Sequence, residues 1–382
     1  MQKLKLLIMI FSVVLVSCKE EPKQFNDDSV IKITGETQGT TYTILYYDTL
    51  NRNIKVAVDS ILARIDSSLS TYKPNSIISK FNKAKDCSWI DSHFLELFFK
   101  SQEVFEATGG AFDPTVKSVL NIWGFGSSPI DISDYQNSLP DNEIKDSLVY
   151  EYRKKLALKN RDLVGWDKLK YGGDILYNTV EEMNDEDYKD NYVCKEKPEV
   201  EVTFDAIAQG YSVDVIAEYM FFKLGIKSFL IEVGGEIIAE GIKPSGKQWT
   251  VSIEHPDIEN PDLDPQLAVV PMTKLRSLAV SGNYRNYLNS YNGKRYGHSI
   301  DPRTGLSAEN KMLSVAVFAD ECALADAYAT AFMVMGVNDA LSFVEINPYI
   351  DLEVMFTYLN DSNKLEIYTS PGLKNLITIN VK

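Results

Sequence analysis

Helical and strand-forming segments interleave along this chain without a strict strand–helix–strand rhythm. Apolar residues at helical spacing predict helices over 54–68, 94–108, 141–158, 206–224 and 322–335. Alternation of apolar and polar residues predicts a strand pair over 30–47 and either a strand pair or a strand and turn over 228–240. Single strands are predicted over 169–180, 200–204, 249–254, 278–281, 313–319, 353–359 and 365–369. The stretch 127–139 is typical of a loop. We therefore predict a mixed α/β (α+β) fold with a cleft, as a single body or as two lobes.

The first residues have the features of an export signal. Lys3 and Lys5 precede an apolar run over 6–16, which is shorter than the ~20 residues needed to span a bilayer. The run ends at Ser17-Cys18, as in bacterial lipoprotein signals, where the cysteine is lipidated. We predict a signal peptide over 1–17, a polar tether over 18–29 and a folded domain over 30–382. An ordinary signal peptide with a chance cysteine is the alternative.

Charge and cysteine content exclude several classes of function. The chain has 39 basic and 54 acidic residues, a formal charge of −15, which argues against a nucleic-acid partner. Besides Cys18 it contains Cys87, Cys194 and Cys322, with no C-x-x-C pair, so neither a thiolate zinc site nor a dithiol redox motif is expected. An odd number of cysteines leaves at least one thiol free, and we expect Cys322 to be buried.

A polar loop is predicted near residue 300. His298, Asp301 and Arg303 lie within six positions between Gly297 and Gly305. Glycine and proline in this stretch favour a rigid turn that presents polar side chains. Histidine and carboxylate are the common proton acceptors of enzymes.

A second polar pair lies in the apolar helix predicted over 322–335. Asp326 and Thr330 are four residues apart, so their oxygens share one helix face. A carboxylate and a hydroxyl are hard ligands suited to Mg²⁺, which takes few protein carboxylates and leaves other positions to phosphate and water. A helix cap or an internal hydrogen bond is the alternative for the pair.

These two groups belong to an ordered series of motifs that resembles the ApbE-type FAD:protein FMN transferases. The resemblance runs from about Thr37 to about Gly336. The matching segments are 38–42, 70–72 with 81–82, 109–115, 205–211, 233–236, 281–284, 296–305 and 325–330. Each motif alone is weak, whereas the whole series in order is a strong signal.

The resemblance implies an Mg²⁺-dependent enzyme that cleaves FAD, attaches FMN to a Thr or Ser hydroxyl of a target protein and releases AMP. In the family, Asp326 and Thr330 would bind the metal together with the backbone carbonyl of Ala206. The implied acceptors are subunits of membrane electron-transport complexes. A lipid anchor at Cys18 would hold the enzyme on the periplasmic side of the cytoplasmic membrane, with the outer membrane as the alternative.

The resemblance also implies roles for individual side chains. Asp301 is the candidate general base or its orienting partner, and His298 is the proton acceptor or a contact to the flavin phosphate. Arg303 binds a phosphate or makes a structural ion pair, and Asp113 binds ribose or caps a helix. The candidate cofactor-binding residues are Gln38, Tyr72, Lys73, Pro74, Ala111, Phe112, Asp113, Gln209, Ile300 and Arg303.

Two positions depart from the family pattern. Gln209 stands where many members carry lysine or glutamate, and Gln38 stands where methionine is frequent. Gly234-Gly235 lacks the context of a phosphate loop, so we expect it to turn a strand or to let the backbone approach the flavin.

Two other functions remain open at this point: an FAD pyrophosphatase, in which water replaces the protein hydroxyl, and a non-catalytic FAD-binding lipoprotein.

Overall fold

The computed structural model describes residues 27–140, 145–173, 191–256, 264–272, 275–282, 287–289, 295–297 and 299–380. The predicted signal peptide, Cys18 and most of the predicted tether lie outside the described residues, and so does His298.

Helices occur where the apolar periodicity predicted them, with short additions. The helices are α1 (Lys55–Leu69), α2 (Ile77–Lys83), α3 (Ser92–Thr108), α4 (Lys117–Trp123), α5 (Ser133–Ser138), α6 (Lys145–Lys159), α7 (Ala208–Glu218), α8 (Cys322–Met335), α9 (Val337–Ile346) and α10 (Pro371–Lys374). α8 has the predicted bounds. The prediction over 206–224 corresponds to α7 and a π-helical turn, Tyr219–Lys223. None of the helices in the described residues is both long enough and apolar enough to cross a membrane.

The strands form one large sheet and several small ones. The strands are β1 (Ile31–Thr37), β2 (Thr40–Tyr46), β3 (Cys87–Trp89), β4 (Leu169–Gly172), β5 (Tyr192–Lys195), β6 (Phe229–Val233), β7 (Glu236–Glu240), β8 (Trp249–Glu254), β9 (Gln266–Met272), β10 (Ser277–Gly282), β11 (Tyr287–Asn289), β12 (Arg295–Gly297), β13 (Ile300–Asp301), β14 (Leu306–Ser307), β15 (Met312–Ala319), β16 (Glu353–Leu359), β17 (Leu365–Thr369) and β18 (Thr378–Ile379). Eight of them pair antiparallel in the order β1-β2-β6-β7-β10-β15-β16-β17.

Both faces of this large sheet are covered. Val315 and Val317 of β15 pack into the core shared with α1, α3, α7 and α8. Ala316 and Phe318 pack on the other side, against the three-stranded sheet β18-β9-β8. A strand buried on both faces carries apolar residues at successive positions, which accounts for the almost uninterrupted apolar run of β15. The mixed α/β class is thus confirmed, with one continuous main core.

A smaller core lies under the loop near residue 300. Val119, Trp123, Ala157 and Ile300 pack together there. The Trp123 indole Nε1 donates to the Gly305 carbonyl at 2.9 Å, so the turn is fixed to α4. This hydrogen bond and the packing of Ile300 hold the β13–β14 turn against α4.

Two local predictions are wrong. Residues 200–204 are not a strand, although Val202 is buried. The Asn82 side chain takes the place of a neighbouring strand: its Nδ2 donates to the Val202 carbonyl, and its Oδ1 accepts from the Val202 N–H, both at 2.8 Å. The predicted loop 127–139 contains α5, where the Asp131 side chain accepts from the Ser133 N–H at 2.8 Å. In both places a side-chain amide or carboxylate decides the backbone structure.

Cys87 and Cys194 form a disulfide between the paired strands β3 and β5. Cys322 is the free, buried cysteine of the described residues, as expected. The bond joins positions 107 residues apart and so ties the segment before α3 to the segment before α7.

Candidate functional site

The start of α7 lies directly against α8. A Cβ added to Gly210 would lie 2.3 Å from the Cys322 carbonyl oxygen, so only glycine permits this approach. The Gly210 N–H donates to Asp326 Oδ2 at 3.2 Å. In a regular helix it would donate to the carbonyl of Ala206, four residues earlier. The Ala206 carbonyl is therefore left outside the helical ladder of α7.

Asp214 fixes the other end of this contact. Its carboxylate accepts from the N–H groups of Cys322 and Ala323, both at 2.8 Å, and so caps α8. Glu321, the residue in the cap position, makes no side-chain cap of its own. Burial of the carboxyl group raises the pKa of Asp214 to about 7, although the two N–H groups favour the charged form.

Two buried carboxylates lie next to each other at this junction. Asp326 and Glu236 are 7% and 6% exposed. Burial raises the pKa of both, and the Asp326 charge raises that of Glu236 further. No ion pair between described residues involves either of them. Since buried charges need a partner, this acidic pair fits a cation. Thr330 lies one turn along α8 from Asp326 and is half-buried.

A cleft opens beside the start of α7. Its volume is about 720 Å³. The lining residues are Gln38, Gly39, Asp66, Leu69, Ser70, Tyr72, Lys73, Phe125, Asp205, Ala208 and Gln209. Four of the predicted cofactor-binding residues, Gln38, Tyr72, Lys73 and Gln209, thus share one cavity. The residue after Gln209, Gly210, is the one whose N–H donates to Asp326.

Gln38, which lines this cleft, and Thr71, which lies between the lining residues Ser70 and Tyr72, carry unsatisfied oxygens. Gln38 lies in the β1–β2 turn, with φ of 50°, and its Nε2 donates to the Ser212 hydroxyl at 2.7 Å. The Gln38 Oε1 and the Thr71 hydroxyl are buried and have no hydrogen-bond partner among the described residues. Because buried polar atoms are normally paired, these two fit the donor and acceptor groups of a bound ligand.

The loop 70–76 presents an aromatic ring. Tyr72 is 71% exposed, so its face is available for stacking. Lys73 pairs with Asp66, with 3.0 Å between Nζ and Oδ2. Pro74 is exposed beside them but does not line the cleft. The Ser76 hydroxyl accepts from the Ser79 N–H at 3.2 Å and starts α2, a helix that the apolar pattern did not predict.

Gln209 packs against the turn between β6 and β7. A Cβ on Gly234 would lie 2.8 Å from Gln209 Nε2. Gly234 and Gly235 have φ values of +69° and +115° and form the two-residue turn of this hairpin. The turn predicted for these glycines is confirmed, and it also leaves room for the Gln209 side chain.

The segment 111–113 lies in the interior and does not line the cleft. Ala111 and Phe112 belong to the main core. Asp113 Oδ1 accepts from the N–H and the hydroxyl of Thr115, at 2.8 and 2.7 Å. Of its two predicted roles, the cap is the one that this structure contains. Burial raises the pKa of Asp113 to about 6.

The loop near residue 300 is held by an ion pair. Arg303 Nε and Nη2 donate to the two carboxylate oxygens of Asp301, at 2.9 and 3.0 Å. The Arg303 N–H also donates to Asp301 Oδ1 at 2.9 Å. Both residues line a separate cavity of about 380 Å³. Ile300 is buried against α4 rather than in the cleft. For Arg303, the structural ion pair is the alternative observed.

Sequence reasoning missed Asp214 and Glu236. Asp214 caps a helix that begins 108 residues later in the chain, so no local pattern shows the cap. Glu236 lay inside a matched motif but received no role, because its burial beside Asp326 depends on how β7 and α8 pack. An acidic residue directly after a glycine pair and before the apolar residues 237–239 was the signal available.

Comparisons with known proteins give one consistent result. The sequence profile of the ApbE family matches residues 38–356. An FAD:protein FMN transferase of Haemophilus influenzae is 30% identical over 343 residues, which cover 87% of each chain. One from Vibrio cholerae is 28% identical over 347 residues, covering 89% of this chain and 90% of the relative.

Solved structures of similar proteins share the fold. The flavin transferase ApbE from Vibrio cholerae superposes with a TM-score of 0.70 at 28% identity, covering 91% of this chain and 99% of that one. The apo form of the flavinyl transferase ApbE from Pseudomonas stutzeri gives 0.69 at 28% identity, covering 91% and 96%.

Proposed function

This chain belongs to the ApbE family, and from that membership we propose that it is an FAD:protein FMN transferase. It breaks the bond between the FMN phosphorus and the AMP phosphate oxygen of FAD. The same phosphorus forms a new bond to a Thr or Ser hydroxyl of the acceptor protein, and AMP leaves. The observation that carries the proposal is the junction of cleft and acidic pair, where Gln209 lines the cavity and the adjacent Gly210 N–H binds Asp326.

The cleft is the proposed FAD site. Tyr72 stacks on an aromatic ring of the substrate, and the unpaired Oε1 of Gln38 accepts a hydrogen bond from one of its polar groups. The start of α7 carries the positive end of the helix dipole, which favours a phosphate group nearby. Gln209 contributes an amide where many relatives place a charge, so it binds by hydrogen bonding alone.

The donor set around Asp326 fits Mg²⁺. Asp326, the Thr330 hydroxyl and the Ala206 carbonyl are hard oxygen ligands, and the buried carboxylates have no cationic partner among the described side chains. When bound, Mg²⁺ would neutralise the pyrophosphate and act as a Lewis acid on the leaving phosphate.

We assign proton acceptance to His298 and loop positioning to Asp301. A base must be within hydrogen-bond reach of the attacking hydroxyl. Both oxygens of Asp301 are already taken by Arg303, so a hydroxyl proton would compete with a guanidinium. The Asp301–Arg303 pair instead holds the β13–β14 turn.

We further propose that the enzyme is exported, lipidated at Cys18 and held on the periplasmic side of the cytoplasmic membrane, with the outer membrane as the alternative. The disulfide between Cys87 and Cys194 supports an oxidising compartment. Anchoring raises the local concentration of membrane-bound acceptors, proposed to be electron-transport subunits that carry a Thr or Ser flavinylation site.

The test is a reaction of purified protein with FAD, Mg²⁺ and a candidate acceptor domain, followed by mass spectrometry. We expect the acceptor to gain the mass of FMN and AMP to appear in equal amount. Omission of Mg²⁺, and the variant Asp326→Asn, should each abolish the gain. Equal FMN and AMP release with no labelled acceptor, whichever acceptor is offered, would show a pyrophosphatase instead.

A further inference from the structure

Glu236 occupies an unusual position for a glutamate. It is the first residue of β7, directly after the Gly234-Gly235 turn, and only 6% of it is exposed. Its partner across the hairpin is Val233, and the turn itself packs against Gln209 at the start of α7. The hairpin therefore directs a carboxylate towards the place where α7 meets Asp326.

This carboxylate is only partly satisfied. One oxygen receives the N–H of Glu236 itself, whereas Oε2 has no hydrogen-bond partner among the described residues. Within the described part of the chain, the charges that act on it most are those of Asp326 and Glu232, both acidic. Glu232 does not relieve it, because Glu232 Oε1 accepts from the Gly235 N–H at 2.9 Å. A buried, unpaired oxygen among like charges needs either a proton or a cation.

We propose that Glu236 contributes a second carboxylate to the divalent-cation site of Asp326, Thr330 and the Ala206 carbonyl. This inference rests on the proposed Mg²⁺ site. Two carboxylates remain within the number that Mg²⁺ takes from proteins, and further positions stay open for phosphate and water. With two carboxylates, the protein alone should bind the cation before any FAD is present.

The first test measures Mn²⁺ binding to FAD-free protein from the electron paramagnetic resonance signal of free Mn²⁺, with Mg²⁺ as competitor. Glu236→Gln should weaken binding about tenfold or more. The matched control is Glu240→Gln, on the same strand, whose carboxylate pairs with Arg276 at 3.3 Å. It should bind within about twofold of the wild type. The variant Asp326→Asn removes the charge of the proposed metal ligand, so its Mn²⁺ affinity tests whether the cation site exists.

The outcomes separate the two proposals. If Glu236→Gln binds like the wild type while Asp326→Asn does not, Glu236 is no ligand and the metal site stands. If the wild type binds no better than Asp326→Asn, the metal assignment and this inference both fail.

A second readout guards against misfolding. Without metal, Glu236→Gln should melt at or above the wild-type temperature, because it removes a buried unpaired charge. Added Mg²⁺ should raise the melting temperature of the wild type by mass action and raise that of Glu236→Gln much less. Glu236→Asp, which keeps the charge, should retain part of the Mg²⁺ response. An equal response in Glu236→Gln and wild type would overturn the proposal.

Discussion

Asp214 and Asp326 each cap the helix that carries the other. Asp214, on α7, accepts the N–H groups of Cys322 and Ala323 at the start of α8. Asp326, on α8, accepts the Gly210 N–H at the start of α7. Each helix therefore satisfies the free N–H groups of its neighbour. The candidate metal carboxylate gains a fixed orientation from the same arrangement.

The cap from Asp214 should contribute measurably to stability. Asp214→Asn retains one acceptor but turns an NH₂ group towards the second N–H. We expect a loss of ~1–3 kcal/mol in the free energy of unfolding, measured by urea denaturation. Asp320→Asn, at an exposed position just before α8, should change it by less than ~0.5 kcal/mol. Equal effects of the two variants would refute the role of the cap.

Asp113 should make stability depend on pH. Burial raises its folded-state pKa to about 6, above the unfolded value of 3.8. The folded state therefore binds the proton more tightly, and this stabilisation is complete below about pH 4 and is lost as the pH rises through 6. The cost of Asp113→Asn should be larger at pH 4.5 than at pH 7.5, by ~3 kcal/mol at most. A cost that grows with pH in urea titrations would contradict the burial argument.

The assignment of the base predicts different losses for two variants. His298→Asn should lower FMN transfer by ~10²–10⁴, with FAD affinity within about tenfold of wild type. Asp301→Asn should lower transfer by roughly tenfold or less, because it loosens the loop without removing the proton acceptor. Single-turnover assays at saturating FAD measure both. If the two losses are exchanged, Asp301 is the base; loss of FAD binding would place the residue in substrate recognition.

The disulfide should stabilise the folded enzyme. Cys87→Ser/Cys194→Ser removes a link across 107 residues. We expect a loss of ~2–5 kcal/mol in guanidinium unfolding experiments. Reductant should lower the stability of the wild type to that of the double variant and leave the variant unchanged. If reductant has no effect on the wild type, the cysteines are not joined in solution.

Lipidation predicts that Cys18→Ala leaves the membrane fraction. The variant should appear in the soluble fraction of cells and transfer FMN to a soluble acceptor domain at the wild-type rate, because every candidate site residue lies beyond residue 37. Immunoblots of fractions after an alkaline wash measure the distribution. Persistence of the variant in washed membranes would show that another contact holds it.

The sequence predicted elements whose pattern is local. α8 and the hairpin β6–β7 were found from apolar spacing and a glycine pair. The segment 200–204 was not, because its partner is the side chain of Asn82, 120 residues away. The pairing of Cys87 with Cys194 was not predicted for the same reason, since a count of cysteines carries no information on which strands are neighbours.

For the candidate site, as for the fold, part of the arrangement followed from the sequence and part did not. Gln38, Tyr72, Lys73 and Gln209 were predicted as cofactor-binding residues, and they line one cleft. The interior positions of Phe112 and Ile300 could not be inferred, because the same motif letters suit a core residue and a ligand contact. Distance along the chain thus limits prediction more than residue type does.

The chain positions of the cleft residues set the order in which the site can assemble. The cleft walls come from residues 38–73, 125 and 205–209, all ahead of α8. Asp326 arrives more than a hundred residues later and is needed to close the first turn of α7. A chain synthesised only as far as β9 contains the residues that line the cleft. It lacks the Asp326 carboxylate and the reciprocal capping between α7 and α8. Cation binding is therefore a property of the finished chain, and C-terminal truncation before α8 should remove it completely.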